Sequence, residues 1–430
     1  MSSKVIPVNL KHHNVELTQS QHKRYAGTEL NRAISSCLLV LCLPIMMINT
    51  LLALLQNKAV LQQIQQKDCL DRVVKYYHFS SGVMKNIAAL GAVFSQRISL
   101  CGMPINIELT KSNRAMLSHY RHIPTGLFDA ITVHQSGGLH TVDKVVLLEQ
   151  QFAGTRTSYL LLLFRGILSQ LIFKGKHSHL HSPDVVHLFG LKINNDHMQD
   201  AISWVMTNPI KRSIEHRCKV SFFVNVNSVN LAQKRPAFKT LLNQADHCFA
   251  DGLGMRIAAR KTGVRLKDNL NGTDMLPYLC QAAVANGASI YLLGGKPSIA
   301  NATAQNLCLQ YPNLRIAGSE HGYFEASSYL EVIEKINHSQ ADILLLAMGS
   351  PDQEKWLIEH ANLINCRTAI AVGGLFDFYS GSISRAPLWM RELGMEWIWR
   401  LIQEPKAKFC RYIIGNPLFL IRTFIFNQAN

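Results

Sequence analysis

The second half of the chain alternates short apolar runs with amphipathic stretches, and a glycine turn follows many of the runs. VSFFVNVNSV from Val220, HCFA from His247, SIYLLGG from Ser289, LRIAGSE from Leu314, DILLLAMGS from Asp342 and TAIAVGG from Thr368 are aliphatic, aromatic or β-branched. They predict strands, and the amphipathic segments between them predict helices. VVHLFGLKI from Val185 predicts a strand with a glycine turn. Asn195 and Asp196 then read as start signals for a helix through Trp204. Repeated strand, glycine turn and helix predict an α/β fold, a Rossmann-like, mostly parallel sheet with flanking helices. Its turns gather on one edge, where open α/β sheets bind ligands.

The first half has another pattern. Ile34 to Leu55 runs 22 residues without a charge, long enough to span a bilayer. Pro44 interrupts it, and Arg32 and Lys58 flank it. Proline breaks helical hydrogen bonding, and basic flanks at both ends suit a re-entrant helix–break–helix better than a clean crossing. Gln96 to Ile105 and His122 to Phe128 read as turns between short strands. Tyr159 to Phe173 reads as an amphipathic helix too short to span. The expected organisation is a polar basic segment (1–33), a membrane-associated α-rich domain (34–175), a linker (176–185), the α/β domain (186–384) and a basic aromatic appendage (385–430).

Charge narrows the partners. A formal net charge of +16 suits an anionic ligand or surface. The absence of a long Lys/Arg block or an aromatic–basic RNA motif argues against nucleic acid. The ten cysteines have no CxxC pair and read as reduced thiols of a cytosolic compartment. His177, His179 and His181 alternate, but Asp184 is the one nearby acid, so the stretch reads as a linker and no metal is expected. The appendage carries seven Lys/Arg against three Glu, interleaved with Trp389, Trp397, Trp399, Phe409, Tyr412 and Phe419, a composition of membrane interfaces.

Asp246 to Arg260 holds the leading catalytic candidate. Asp251 falls in the turn after a short strand, with Gly252 and Gly254 opening a helix. A carboxylate there would lie near bound phosphate and could act as a general base. Asp-Gly is also ordinary helix-capping chemistry. Gly294-Gly295-Lys296 could hold phosphate at a helix start. Gln353 is placed to meet a ligand over the strand ends, and Glu354 could serve the helix dipole.

FADGLGMR, NGTDM, YLLGGKP, GSPDQEKW, GGLFDFYSG, RAP and EWIWRLIQEP follow one another over residues 186 to 415. In this the chain closely resembles the WecG/TagA/CpsF glycosyltransferase family. The resemblance implies an inverting transfer of an N-acetylmannosamine-type sugar from a UDP-sugar donor to a polyprenyl-diphosphate-linked sugar, without a cofactor or metal. It implies the cytoplasmic face of the bacterial inner membrane, with a basic appendage completing the site, and it admits a homo-oligomer. It makes Asp251 the base and Gln353 a site residue. Lys406 and Lys408 stand where many members carry arginine, which alone can make a bidentate phosphate contact. With the sheet-edge turns it nominates as substrate-binding Asn225, Asn227, Gly252, Asn271, Gly272, Thr273, Asp274, Gly294, Gly295, Lys296, Gln353, Glu354, Gly373, Gly374, Asp377, Arg385, Arg400 and Arg411. Residues 34–175 resemble the bacterial sugar-transferase domain in SLCGMPI, HIPTGLF and LLLLFRGILSQLIF. The acidic pair expected before SLCGMPI is missing, which implies a degenerate relative acting as an anchor. The alternatives are a bifunctional enzyme that also transfers a phosphosugar to polyprenyl phosphate, and a silent membrane scaffold that binds a nucleotide sugar.

Overall fold

The computed structural model describes residues 28–426 except 83, 108, 140–142, 174–179 and 208–216. His177, His179, residues 1–27 and much of the expected linker therefore lie outside the described residues. The chain separates into two compact units at Lys174/Gly175.

The C-terminal unit is built on one eight-stranded sheet. Its strands are β1 (Val185–Leu188), β2 (Leu191–Asn194), β3 (Lys219–Val224), β4 (His247–Ala250), β5 (Ser289–Gly294), β6 (Arg315–Glu320), β7 (Ile343–Ala347) and β8 (Thr368–Ala371). Their order across the sheet is β6-β5-β7-β8-β3-β4-β2-β1. All neighbours pair parallel except the edge hairpin β1–β2, which turns at Gly190. The runs are almost continuously apolar because both faces are covered. Tyr291, Leu293, Leu344 and Leu346 face one core, and Ile290, Leu292, Ile343 and Leu345 face the other. Truncating one of these leucines to alanine should cost about 2–5 kcal/mol.

The helix Met198–Thr207 starts differently from expectation. Asn195 donates its amide to the carbonyls of Pro183 and Arg265, and Asp196 pairs with His247. The helix's first amide is met by Asp268, which accepts from Met198 N–H at 2.8 Å. A cap supplied from a distant part of the chain leaves no local sequence signal.

The appendage belongs to the same compact unit. The helix Gly415–Phe424 packs on the helix Val226–Lys234 and on Leu253–Lys261. Asn230 donates to the Gly415 carbonyl at 2.8 Å and accepts from Arg422. Phe419 is fully buried, 5.2 Å from the ring of Phe189.

In the N-terminal unit the long apolar run is two helices, Thr28–Leu41 and Leu43–Leu55, bent by 60°. Pro44 sits in the first turn of the second helix, where its missing N–H costs nothing. No single helix among the described residues is long and apolar enough to cross a membrane, although this bent pair passes by length and composition. Asn49 is fully buried in the second helix, and Gly82 makes room for it: a Cβ there would fall 1.8 Å from Asn49 Oδ1. An antiparallel hairpin follows, Leu61–Lys67 with Val73–Phe79. The segments read as turns between short strands each contain a short strand, Ser99–Cys101 and Gly126–Phe128, and these two pair in parallel. Helices Ala130–Ser136, Lys144–Phe152 and Arg156–Phe173 complete the unit. Asp129 caps the first of them, accepting from Thr132 N–H and Oγ1–H at 2.7 Å each. Burial pushes its carboxyl up to about 6.

Candidate active site

The turns after β3, β4, β5, β7 and β8 meet on one edge of the sheet because these strands run parallel. Asp251 follows β4, and its N–H still reaches back to the Val224 carbonyl at 2.9 Å. Gly252 then takes φ +90, a conformation that favours glycine, and its N–H bonds Asn269 Oδ1 at 2.7 Å. Asn225, after β3, caps the helix Val226–Lys234. Its Oδ1 accepts from the N–H groups of Asn227 and Ser228, which leaves Nδ2 to donate to Asp251 Oδ2 at 3.1 Å. An amide serves both tasks; a carboxylate at 225 could cap the helix but would repel Asp251.

Asp251 is a half-buried residue. Burial pushes the carboxyl up to about 6 against the pull of the Asn225 amide; Glu396 and Asp274 add to the rise and Arg411 opposes it. A carboxylate of that strength holds a proton firmly enough to act as a base near neutral pH.

Three glycines leave open volume on this edge. Gly252, Gly349 and Gly373 all have positive φ, and a Cβ on any of them would meet nothing within 4 Å. Gln353 joins two of these turns. Its Oε1 accepts from Gly349 N–H at 3.2 Å and Gly373 N–H at 3.0 Å, so one side chain ties the loops after β7 and β8 together. Gln353 Nε2 donates to Glu354 Oε1 at 2.9 Å, which also accepts from Ser350 Oγ at 2.6 Å. Glu354 is buried, its Oε2 lacks a hydrogen-bond partner, and desolvation raises its carboxyl. Both side chains are thus engaged inside the protein, as braces of the turns.

The helix Gly272–Asn286 is capped by Asn271, which accepts from Asp274 N–H at 2.8 Å. Asp274 is almost fully buried and engaged with Arg385, Arg391 and the Asn271 amide. Burial works to raise its carboxyl, but the two guanidiniums overcome it and hold the group below the usual range. Thr273 contributes its carbonyl, which accepts from Tyr379 OH at 3.0 Å. The ring of cations and acids continues through the tail. Arg400 lies 2.8 Å from Glu404, 3.8 Å from Asp377 and 4.8 Å above the Phe378 ring. Its Nη1 is buried without a hydrogen-bond partner. Lys408 lies 3.8 Å from Glu404. Burial raises the Asp377 carboxyl, with Arg400, Lys408 and Lys296 pulling the other way. Arg411 stacks on Tyr412 at 5.4 Å.

The structure brings Asp251, Asn225, Asn227, Gly252, Gln353 and Gly373 to one edge, with Asp377, Arg400 and Arg411 bound into the same electrostatic set. Other nominated glycines lie close against neighbouring groups. A Cβ on Gly272 would meet Leu375 and Phe223, on Gly294 the Ala347 backbone, on Gly295 Ile299, and on Gly374 Arg400 and Asp377. Gly254, in the helix that opens after Asp251, lies against Val226 and Phe419. Lys296 is exposed. The sequence reading missed Asn269, Gly349, Arg391 as an Asp274 partner, and Glu396. Only Gly349 had a local signal, its place in a turn after a buried strand.

The family model described as "Glycosyl transferase WecG/TagA/CpsF family" matches residues 186–429. A curated relative, the N-acetylglucosaminyldiphosphoundecaprenol N-acetyl-beta-D-mannosaminyltransferase of Bacillus subtilis (strain 168), is 31% identical over 182 residues. That alignment covers 42% of this chain and 70% of the relative.

Proposed function

The chain belongs to the WecG/TagA/CpsF glycosyltransferase family, and we propose that its C-terminal unit moves an N-acetylmannosamine-type sugar from a UDP-sugar to a polyprenyl-diphosphate-linked sugar. The observation that carries this reading is Asp251 on the sheet edge, raised to about 6 beside the open volume left by Gly252, Gly349 and Gly373. The relative's name supplies the sugar and acceptor chemistry.

The reaction is a single in-line displacement. An acceptor hydroxyl gives its proton to Asp251 as its oxygen attacks the anomeric carbon. The bond from that carbon to the UDP oxygen breaks, and the configuration inverts. The leaving diphosphate gains negative charge, which Arg400, Lys408 and Arg411 stabilise from the tail. Preorganised cations in an enclosed site do this without solvent reorganisation, and the unpartnered Nη1 of Arg400 is a donor still to be used.

The membrane side of the proposal rests on exposed apolar surface. In the tail, Ile402, Phe409, Ile414, Phe424, Ile425 and Phe426 are all more than half exposed. In the N-terminal unit, Val40, Leu41, Met47, Leu51, Leu54 and Leu55 are likewise outward. These surfaces fit the cytoplasmic leaflet of a bacterial inner membrane, with residues 34–55 re-entrant and residues 34–175 a degenerate sugar-transferase relative that anchors the chain.

The test is transfer from a panel of UDP-sugars to a short-chain GlcNAc-diphosphate-prenol by the full-length protein in detergent or liposomes. Product from UDP-N-acetylmannosamine supports the reading. UDP-sugar binding without transfer to any lipid-linked acceptor would favour a scaffold, and label passing to bare polyprenyl phosphate would favour a bifunctional enzyme.

A further inference from the structure

The tail brings a carboxylate to the site as well as cations. Gly394 packs so closely on Leu253 that a Cβ at 394 would fall 2.8 Å from Leu253 Cβ. Leu253 is the second residue after Asp251, so the helix Glu396–Gln403 begins beside the catalytic turn. Glu396 Oε1 lies 3.6 Å from Arg385 Nε, too far for a hydrogen bond, and the oxygen is buried without one. Arg385 spends its Nη2 on Asp274. Arg385 is therefore shared between two carboxylates, Asp274 and Glu396.

We propose that Glu396 is a positioning residue for the transfer, a tail carboxylate that sets the electrostatic surroundings of Asp251 and makes the strength of the base depend on tail docking. This rests on reading Asp251 as the base. Asn225 donates to Asp251 at 3.1 Å, and the charged or titratable groups near enough to act on its charge are Glu396, Asp274, Arg411 and Tyr412. Those facing Glu396 are Arg385, Arg391 and Asp274. The site faces a conflict. Cations that stabilise a leaving diphosphate also stabilise ionised Asp251 and weaken it as a base. Glu396 opposes that effect, and because it arrives on the same segment as Arg400 and Arg411, the cations and their counterweight dock together. An undocked tail leaves a weaker base and no cation clamp, which disfavours wasteful hydrolysis of the donor.

The experiment is the pH dependence of kcat/KM for the full-length protein and its Glu396→Gln and Glu396→Asp variants, with tryptophan fluorescence and limited proteolysis reporting tail docking. In Glu396→Gln the acid limb is expected to move to lower pH and the plateau to fall, with the donor KM unchanged. Glu396→Asp, which keeps the charge, is expected to hold the limb near its parental position. Glu396→Ala takes the place of the glutamine variant if that one does not fold. An acid limb in the neutral variant that superimposes on the parent's, whatever the loss in kcat, would overturn the proposal and leave Glu396 a docking residue. Failure of the base assignment itself would show separately, as turnover surviving Asp251→Asn.

Discussion

Asp274→Asn tests how the appendage is held. The substitution keeps the shape of the side chain and removes one charge that is 2% exposed. It strands Arg385 and Arg391, whose side chains are 25% and 17% exposed. Breaking a buried ion pair from one side typically costs 3–5 kcal/mol, and partial access to water with the remaining Glu396 partner lowers that to about 2–3 kcal/mol. At 1.4 kcal/mol per tenfold, the undocked population should rise roughly 30- to 150-fold. Proteolysis of a transiently opened segment follows that population when reclosing is fast, so cleavage between residues 385 and 426 should accelerate by the same factor. Trp389, Trp397 and Trp399 lie in this segment, so their fluorescence should change with it. Transfer should fall too, since Arg400, Arg411 and Glu396 lose their placement. In the parent, the Asp274 carboxyl is held below its usual range, so its stabilisation is full at neutral pH and is lost only as pH falls through that lowered value. A variant cleaved within about threefold of the parent rate would refute the ion-pair anchor.

Three other outcomes follow from the geometry. With Asp251 at about 6 and needed in its ionised form, kcat/KM should fall as pH drops below about 6; a limb near pH 4 would mean the carboxylate is not raised in the working enzyme. Gly373→Ala forces a side chain into φ +58 at a cost of about 1–2 kcal/mol and puts a methyl into the open volume, so UDP-sugar binding measured by titration should weaken. Gln353→Ala frees the amides of Gly349 and Gly373, which should lower stability by about 1–3 kcal/mol in denaturant melts and reduce turnover with it; an unchanged midpoint would contradict the brace.

The sequence made the sheet legible because its strands are buried on both faces and read as unbroken apolar runs ending in glycine. Leu344 and Leu345 face opposite cores, yet both had to be apolar. The place of Asp251 was legible for the same reason: a strand end followed by Asp-Gly puts the residue in the turn at the sheet edge. What was not legible depended on distant partners. Asp274 looked like a ligand contact in a helix turn, and only the fold shows Arg385 and Arg391 claiming it. Gln353 looked aimed at a ligand and Glu354 at the helix dipole, although their partners sit on the turns after two different strands. Glu396 reads in sequence as one acid in a basic tail. Its proximity to Asp251 exists only once Gly394 is packed on Leu253. In the N-terminal unit the break in the apolar run was visible at Pro44, whereas the parallel pairing of Ser99–Cys101 with Gly126–Phe128 was not, since such short strands carry no periodicity.

The most direct measurement is single-turnover transfer by full-length Asp251→Asn, alongside binding of the UDP-sugar to the same preparation. Asparagine preserves the size of the side chain and removes its basicity. The account expects donor binding and folding to persist while transfer falls by about 10²- to 10⁴-fold, the usual contribution of a general base. Transfer at a near-parental rate would contradict it and remove Asp251 from the chemistry.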